Sequence, residues 1–139
     1  MANEAIQIMD ITSLKAVLAE LQNKIVPSRF EKVQQIDPNT LQIGFRSLNG
    51  LIWLEISWYP DSPRIVEINP PSKTIGSSTL AKQFQYGLKN MALVELKQHG
   101  FDRVVHFCFA LRPNESVHRV MVVELMGRYS NILLLNEKR

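Results

Sequence analysis

Cysteine is almost missing from this chain. Cys108 stands alone among 139 residues, which excludes a disulfide framework and a multi-cysteine zinc site and makes a reducing cytoplasm the expected compartment. The three histidines, His99, His106 and His118, lack metal-ligand spacing, and no Ser-His-Asp or Cys-His arrangement can be argued from chain order. No metal, no cofactor, no small-molecule substrate and no enzymatic activity are therefore expected. No stretch approaches the ~20 apolar residues of a membrane span, and the N-terminus lacks the basic start and apolar core of a secretory signal. Neither a membrane partner nor export is expected. Internal repeats, low-complexity tracts and Pro/Gly/Ser linkers are also missing, so residues 1–139 read as a single domain.

What is present is ordinary in bulk and uneven in detail. Apolar residues make up 45% and charged residues 21%, enough for a chain of this size to bury a core without metal or disulfide staples. The net charge of +3 hides an asymmetry: residues 1–63 hold five Lys/Arg against seven Asp/Glu, and residues 64–139 hold eleven against six. The basic second part is the better candidate for meeting phosphate.

Hydrophobic spacing supplies the elements. Asp10 precedes Ile11, Leu14, Val17, Leu18, Leu21 and Ile25, one face of a helix that ends before Pro27. From Phe30 the period becomes two, with strands at 30–36 and 41–45 around the Asp37-Pro38-Asn39 turn. Asn49-Gly50 predicts a type I′ hairpin leading to a strand over 51–56, and a fourth strand covers 64–68 before Pro70-Pro71. Thr79 is expected to cap a second helix over 80–88, weakened near its end by Gly87. Strands near 91–97, 103–110, 117–125 and 131–135 complete an α+β fold, a mostly antiparallel β-sandwich of about eight strands with two helices.

The charged pair Asp102-Arg103 interrupts this pattern. Neighbours on a regular strand point to opposite faces, so a carboxylate and a guanidinium are each left to find a partner elsewhere. Asp10 reads as a helix cap. Gly127 reads as a turn or bulge held by Arg128 and Asn131, and Trp53, Trp58 and Tyr59 read as core or corner packing rather than base-stacking platforms.

Several segments carry a resemblance: Met9-Asp10 opening the first helix, Arg29 opening the first strand, Tyr59-Pro60 through Pro63-Arg64-Ile65, Gly100-Phe101-Asp102-Arg103, and Glu124 to Asn131 followed by Ile132-Leu133-Leu134. In these the chain resembles the NFACT-N domain of the RqcH, or fibronectin-binding-protein-like, family. The chain departs from the family pattern at Pro27-Ser28, where relatives often have Gly-Gly, and at Tyr129, where many have His.

The resemblance implies an N-terminal domain of a longer multidomain protein of ribosome-associated quality control. Such a protein binds a large ribosomal subunit blocked by peptidyl-tRNA and recruits tRNA that extends the stalled chain, typically with alanine. It implies tRNA-binding roles for Asp10, Asp102 and Arg103. Their chemistry fits, since a carboxylate accepts from amino groups or a 2′-hydroxyl and a guanidinium grips phosphate or stacks on a base. Lys82, Lys89 and Lys97 are further candidate phosphate contacts. The fold implied is similar to the N-terminal domain of formamidopyrimidine-DNA glycosylases, but Met1-Ala2-Asn3-Glu4 lacks the terminal proline nucleophile of those enzymes. The older family designation implies an alternative, an adhesin-like protein-binding module.

Overall fold

The computed structural model describes residues 10–72, 78–98, 100, 102–125 and 131–136. Asp10 has an extended backbone, and its carboxylate accepts the Ser13 N–H at 2.8 Å to start α1 (Ile11–Ile25). This satisfies one of the N–H groups that a first helical turn leaves without an acceptor. Leu14, Leu18, Leu21 and Ile25 form the buried stripe of that helix. Four strands follow, β1 (Ser28–Asp37), β2 (Thr40–Ser47), β3 (Gly50–Ser57) and β4 (Arg64–Ile68). Then come α2 (Thr79–Leu88) and β5 (Ala92–Gln98), β6 (Val104–Ala110), β7 (Val117–Glu124) and β8 (Asn131–Asn136). The α+β architecture expected from the periodicities is the one observed.

Two local expectations are corrected. Ser78, not Thr79, caps α2: its backbone is extended and its hydroxyl accepts the Ala81 N–H at 3.0 Å, while Thr79 is already helical. The β2–β3 hairpin is not type I′, which needs positive φ at both central residues. Ser47 pairs with Gly50, so Leu48 and Asn49 make the loop, and of Asn49 and Gly50 only the glycine has positive φ, at 113°. The Ser47 hydroxyl accepts the Asn49 N–H and donates to the Gly50 carbonyl, which closes the turn another way.

All eight strands form one antiparallel sheet in the order β4-β3-β2-β1-β5-β6-β7-β8. It folds over on itself at the centre. Phe45 of β2 and Phe107 of β6 stack with centroids 6.4 Å apart, although two strands separate them in the sheet, a flat distance of roughly 14 Å. The fold line is the short β1–β5 ladder, Ser28↔Leu93 and Arg29↔Ala92. Between the two halves lie Phe30, Ile43, Phe45, Leu54, Leu93, Phe107, Phe109 and Met121, each large side chain contributing roughly 1.5–3 kcal/mol by leaving water.

Past that ladder β1 and β5 part, and each helix repairs one freed edge. The Gln22 side-chain Oε1 of α1 accepts the Leu96 N–H of β5 at 3.3 Å. Gln85 of α2 accepts the Val33 N–H of β1 at 3.1 Å and donates to the Glu31 carbonyl at 3.3 Å. The helices also reach the outer edges: Lys24 of α1 meets Glu67 of β4 at 2.7 Å, and a side chain on Gly87 of α2 would start 2.7 Å from Leu134 of β8. Gly87 is therefore a close-approach residue and not merely a weak point in the helix.

These contacts reveal an internal repeat that the residues conceal. A helix followed by four antiparallel strands occurs twice, and one constant offset relates Gln22 to Gln85, Lys24 to Gly87, Val33 to Leu96 and Gln35 to Gln98. The β1 bulge at Glu31 matches the β5 bulge at Val94. The pair Arg29↔Ala92 maps onto itself, so a local two-fold axis passes through the fold line.

Candidate functional site

One end of the folded sheet carries the residues singled out by sequence. Asp102 and Arg103 do not lie on a regular strand, because β6 begins at Val104. They sit in the β5–β6 connection, where Gly100 has φ 55° and the Gln98 amide donates to the carbonyls of Gly100 at 3.0 Å and Asp102 at 2.5 Å. The Arg103 carbonyl accepts the Leu125 N–H at 2.8 Å. The Gln98 side chain on one side and the Leu125 N–H on the other thus bond the backbone of the pair, with Asp102 exposed and Arg103 half-buried.

Asp10 comes to the same end from the start of α1. Its carboxylate is held below the usual range, chiefly by the Ser13 N–H, next by the Ser13 hydroxyl and the Thr12 N–H, and with a further contribution from the positive charge of Arg103. The cap and the approach to Arg103 coexist in one exposed side chain. Asp10 and Arg103, far apart in sequence, therefore share an electrostatic environment, and Asp102 is bonded to Arg103 in the same loop.

The other candidates divide. Lys97 is exposed on β5 one residue before Gln98, and its ammonium lies 3.9 Å from Glu95. Lys82 and Lys89 are exposed on α2 and at its C-cap. Lys89 lies on the opposite end of the molecule, lining a recess with Arg29, Glu31 and Asn90. Asn131 opens β8, its side chain accepting the Ile132 N–H at 2.8 Å. Gly127, Arg128 and Tyr129 lie outside the described residues. Trp53 and Trp58 are buried as expected, while Tyr59 is exposed.

Sequence reading missed a polar row across the outer face of the first four strands. Gln34 donates to Gln42 at 2.8 Å, Gln42 to Glu55 at 3.1 Å and Arg64 to Glu55 at 2.7 Å. The alternation along β1, β2 and β3 hinted at such a face. Register alone brings its members together.

A cleft of about 490 Å³ opens at the end opposite Asp10 and Arg103. Pro27, Ser28, Arg29, Arg46, Ser47 and Leu48 line it from the first unit, and Asn90, Ala92, Leu111 and Pro113 from the second. Arg46 and Arg29 flank Glu31 at 3.3 and 3.8 Å. The Ser28 hydroxyl is buried and has no hydrogen-bond partner among the described residues, which costs roughly 1–3 kcal/mol.

The family model of NFACT N-terminal and middle domains matches residues 10–139. No curated protein matches the chain. Among solved structures, the N-terminal domain of the fibronectin-binding protein PavA from Streptococcus pneumoniae superposes with TM-score 0.82 at 23% identity, covering 93% of this chain and 50% of that one. The fibrinogen-binding protein from Staphylococcus aureus gives 0.78 at 22%, covering 96% and 48%. The N-terminal part of the fibronectin/fibrinogen-binding protein from Streptococcus suis gives 0.82 at 21%, covering 92% and 49%. The chain spans about half the length of each of these, and at such identities the likeness is one of fold.

Proposed function

The chain belongs to the NFACT N-terminal family, and from that premise we propose that it is a tRNA- and ribosome-binding module rather than an enzyme. Its protein would act in the cytoplasm, recruiting tRNA to large ribosomal subunits obstructed by peptidyl-tRNA for C-terminal alanine tailing of stalled chains. The observation that supports this reading is that Asp10, whose carboxyl is held down chiefly by the Ser13 N–H and in smaller part by the charge of Arg103, lies at the same end as the Asp102-Arg103 loop. An edge that carries an arginine and two aspartates suits an RNA strand, where arginine meets phosphate or a base plane and a carboxylate meets amino or 2′-hydroxyl groups. Lys97 extends that edge along β5 as a phosphate contact.

The test is tRNA binding to the chain by fluorescence anisotropy, with Asp102→Ala and Arg103→Ala beside the wild type and folding checked by circular dichroism. Each substitution is expected to weaken binding about tenfold, since a specific polar contact contributes roughly 1–3 kcal/mol. Equal binding by all three folded proteins would remove these residues from the site. The solved relatives are named for fibronectin or fibrinogen binding, and this favours a second reading, a protein-binding module. Under it, immobilised fibronectin would retain the chain and both variants alike, and tRNA would not compete.

A further inference from the structure

We propose that the cleft opposite the Asp10–Arg103 end docks an acidic, apolar peptide segment of another protein. Its walls come from positions that the internal repeat makes equivalent, and they have diverged in chemistry. The cross-strand pair Arg29↔Arg46 in the first unit corresponds to Ala92↔Ala110 in the second, of which Ala92 lines the cleft and Ala110 is buried, and the next residues along, Ser47 and Leu111, correspond as well. The lining from the first unit is therefore cationic, and that from the second is apolar apart from Asn90. A ligand that fits both presents carboxylates along one side and aliphatic or aromatic side chains along the other.

Charge on the two arginines is not cancelled from within, because among the described residues Glu31 is the one carboxylate paired with both Arg29 and Arg46. The Arg29 and Arg46 side chains remain 60% and 49% exposed, so they can turn to an incoming carboxylate and grip it in a planar fork. At the mouth, Leu48 is 98% exposed and Leu111 51% exposed, and a partner that covers them removes apolar surface from water. Beneath lies the Ser28 hydroxyl, buried and without a hydrogen-bond partner among the described residues, a polar group of the kind that an incoming acceptor can satisfy.

Other occupants fit less well. Single-stranded RNA binds through aromatic or arginine stacking along a basic track, and no aromatic residue lines this cleft. A second copy docked symmetrically would set its own Arg29 and Arg46 against this pair. The proposal does not rest on the tRNA reading, since the 15 residues of α1 place about 22 Å between the two ends. Both ends can be occupied at once.

The experiment is a titration of the ¹⁵N-labelled chain with the blocked peptide acetyl-Glu-Leu-Phe-Glu-Leu-Glu-amide, with lysine replacing every glutamate in a control and with oligouridylate as a third probe. Saturable shifts at Ser28, Arg46, Leu48, Ala92 and Leu111 are expected with the acidic peptide, at least tenfold weaker with the basic one. Arg46→Gln and Leu48→Ser should each weaken binding at least fivefold. Leu48 is so exposed that its replacement leaves the fold intact, which the spectrum of the free variant verifies. No shifts with the acidic peptide, equal affinity for the basic peptide, unchanged affinity in both variants, shifts from oligouridylate alone, or self-association through this face would each overturn the proposal.

Discussion

Asp10 performs two tasks with one carboxylate, and substitutions can separate them. Asparagine is as good an N-cap as aspartate, whereas alanine is not. Asp10→Ala is therefore expected to lower the melting temperature by a few degrees while Asp10→Asn leaves it nearly unchanged; both should weaken tRNA binding if the charge is what tRNA meets. The pH dependence has a definite sign. The folded-state pKa is depressed, so the contribution is complete above the unfolded value of about 4 and is lost as pH falls through the folded value. Thermal melts between about pH 6 and pH 2 should show this acid-side loss in the wild type and less of it in Asp10→Asn. The cap was legible because an aspartate directly precedes an apolar helical period. The orphan hydroxyl of Ser28 and the Arg29–Arg46 pair were not, since both depend on which strands become neighbours.

Between elements, two glutamines do work that no propensity scale records. Gln85→Met keeps the size of the side chain but leaves the Val33 N–H and the Glu31 carbonyl without their partner. The expected cost is about 1–3 kcal/mol in urea unfolding, with faster amide exchange at Val33 as its local signature. A stability unchanged within error would show that water serves these groups equally well. The strands and helices themselves could be read from periods of two and three to four, and their ends fell close to the predicted ones. The β2–β3 turn could not, because Asn-Gly suits more than one hairpin geometry and the Ser47 hydroxyl selected the loop. Ser78 and Thr79 are both good caps, and only the extended backbone of Ser78 decided between them.

For the molecule as a whole, the asymmetry of charge predicts how RNA is held. If Arg103 meets a phosphate, the logarithm of the tRNA affinity should fall linearly with the logarithm of salt concentration, and Arg103→Ala should reduce that slope by about 1. An unchanged slope with weakened binding would instead assign Arg103 to a base. The sandwich class was foreseeable from strand count, but its internal repeat was not. Gln22 and Gln85 agree across the units, as do Gln35 and Gln98, yet Lys24 faces Gly87, Arg29 faces Ala92 and Glu67 faces Leu134. The bracing glutamines are thus alike in the two units while many positions around them differ. That bracing is crossed: Gln22 waits for Leu96, 74 residues later, and Gln85 reaches back 52 residues to Val33. During synthesis the first helix and its four strands emerge before β5, β6 and β7, which supply Leu93, Phe107, Phe109 and Met121 to the shared core. Folding is accordingly expected to wait on long-range closure, which slows it for a chain of this length.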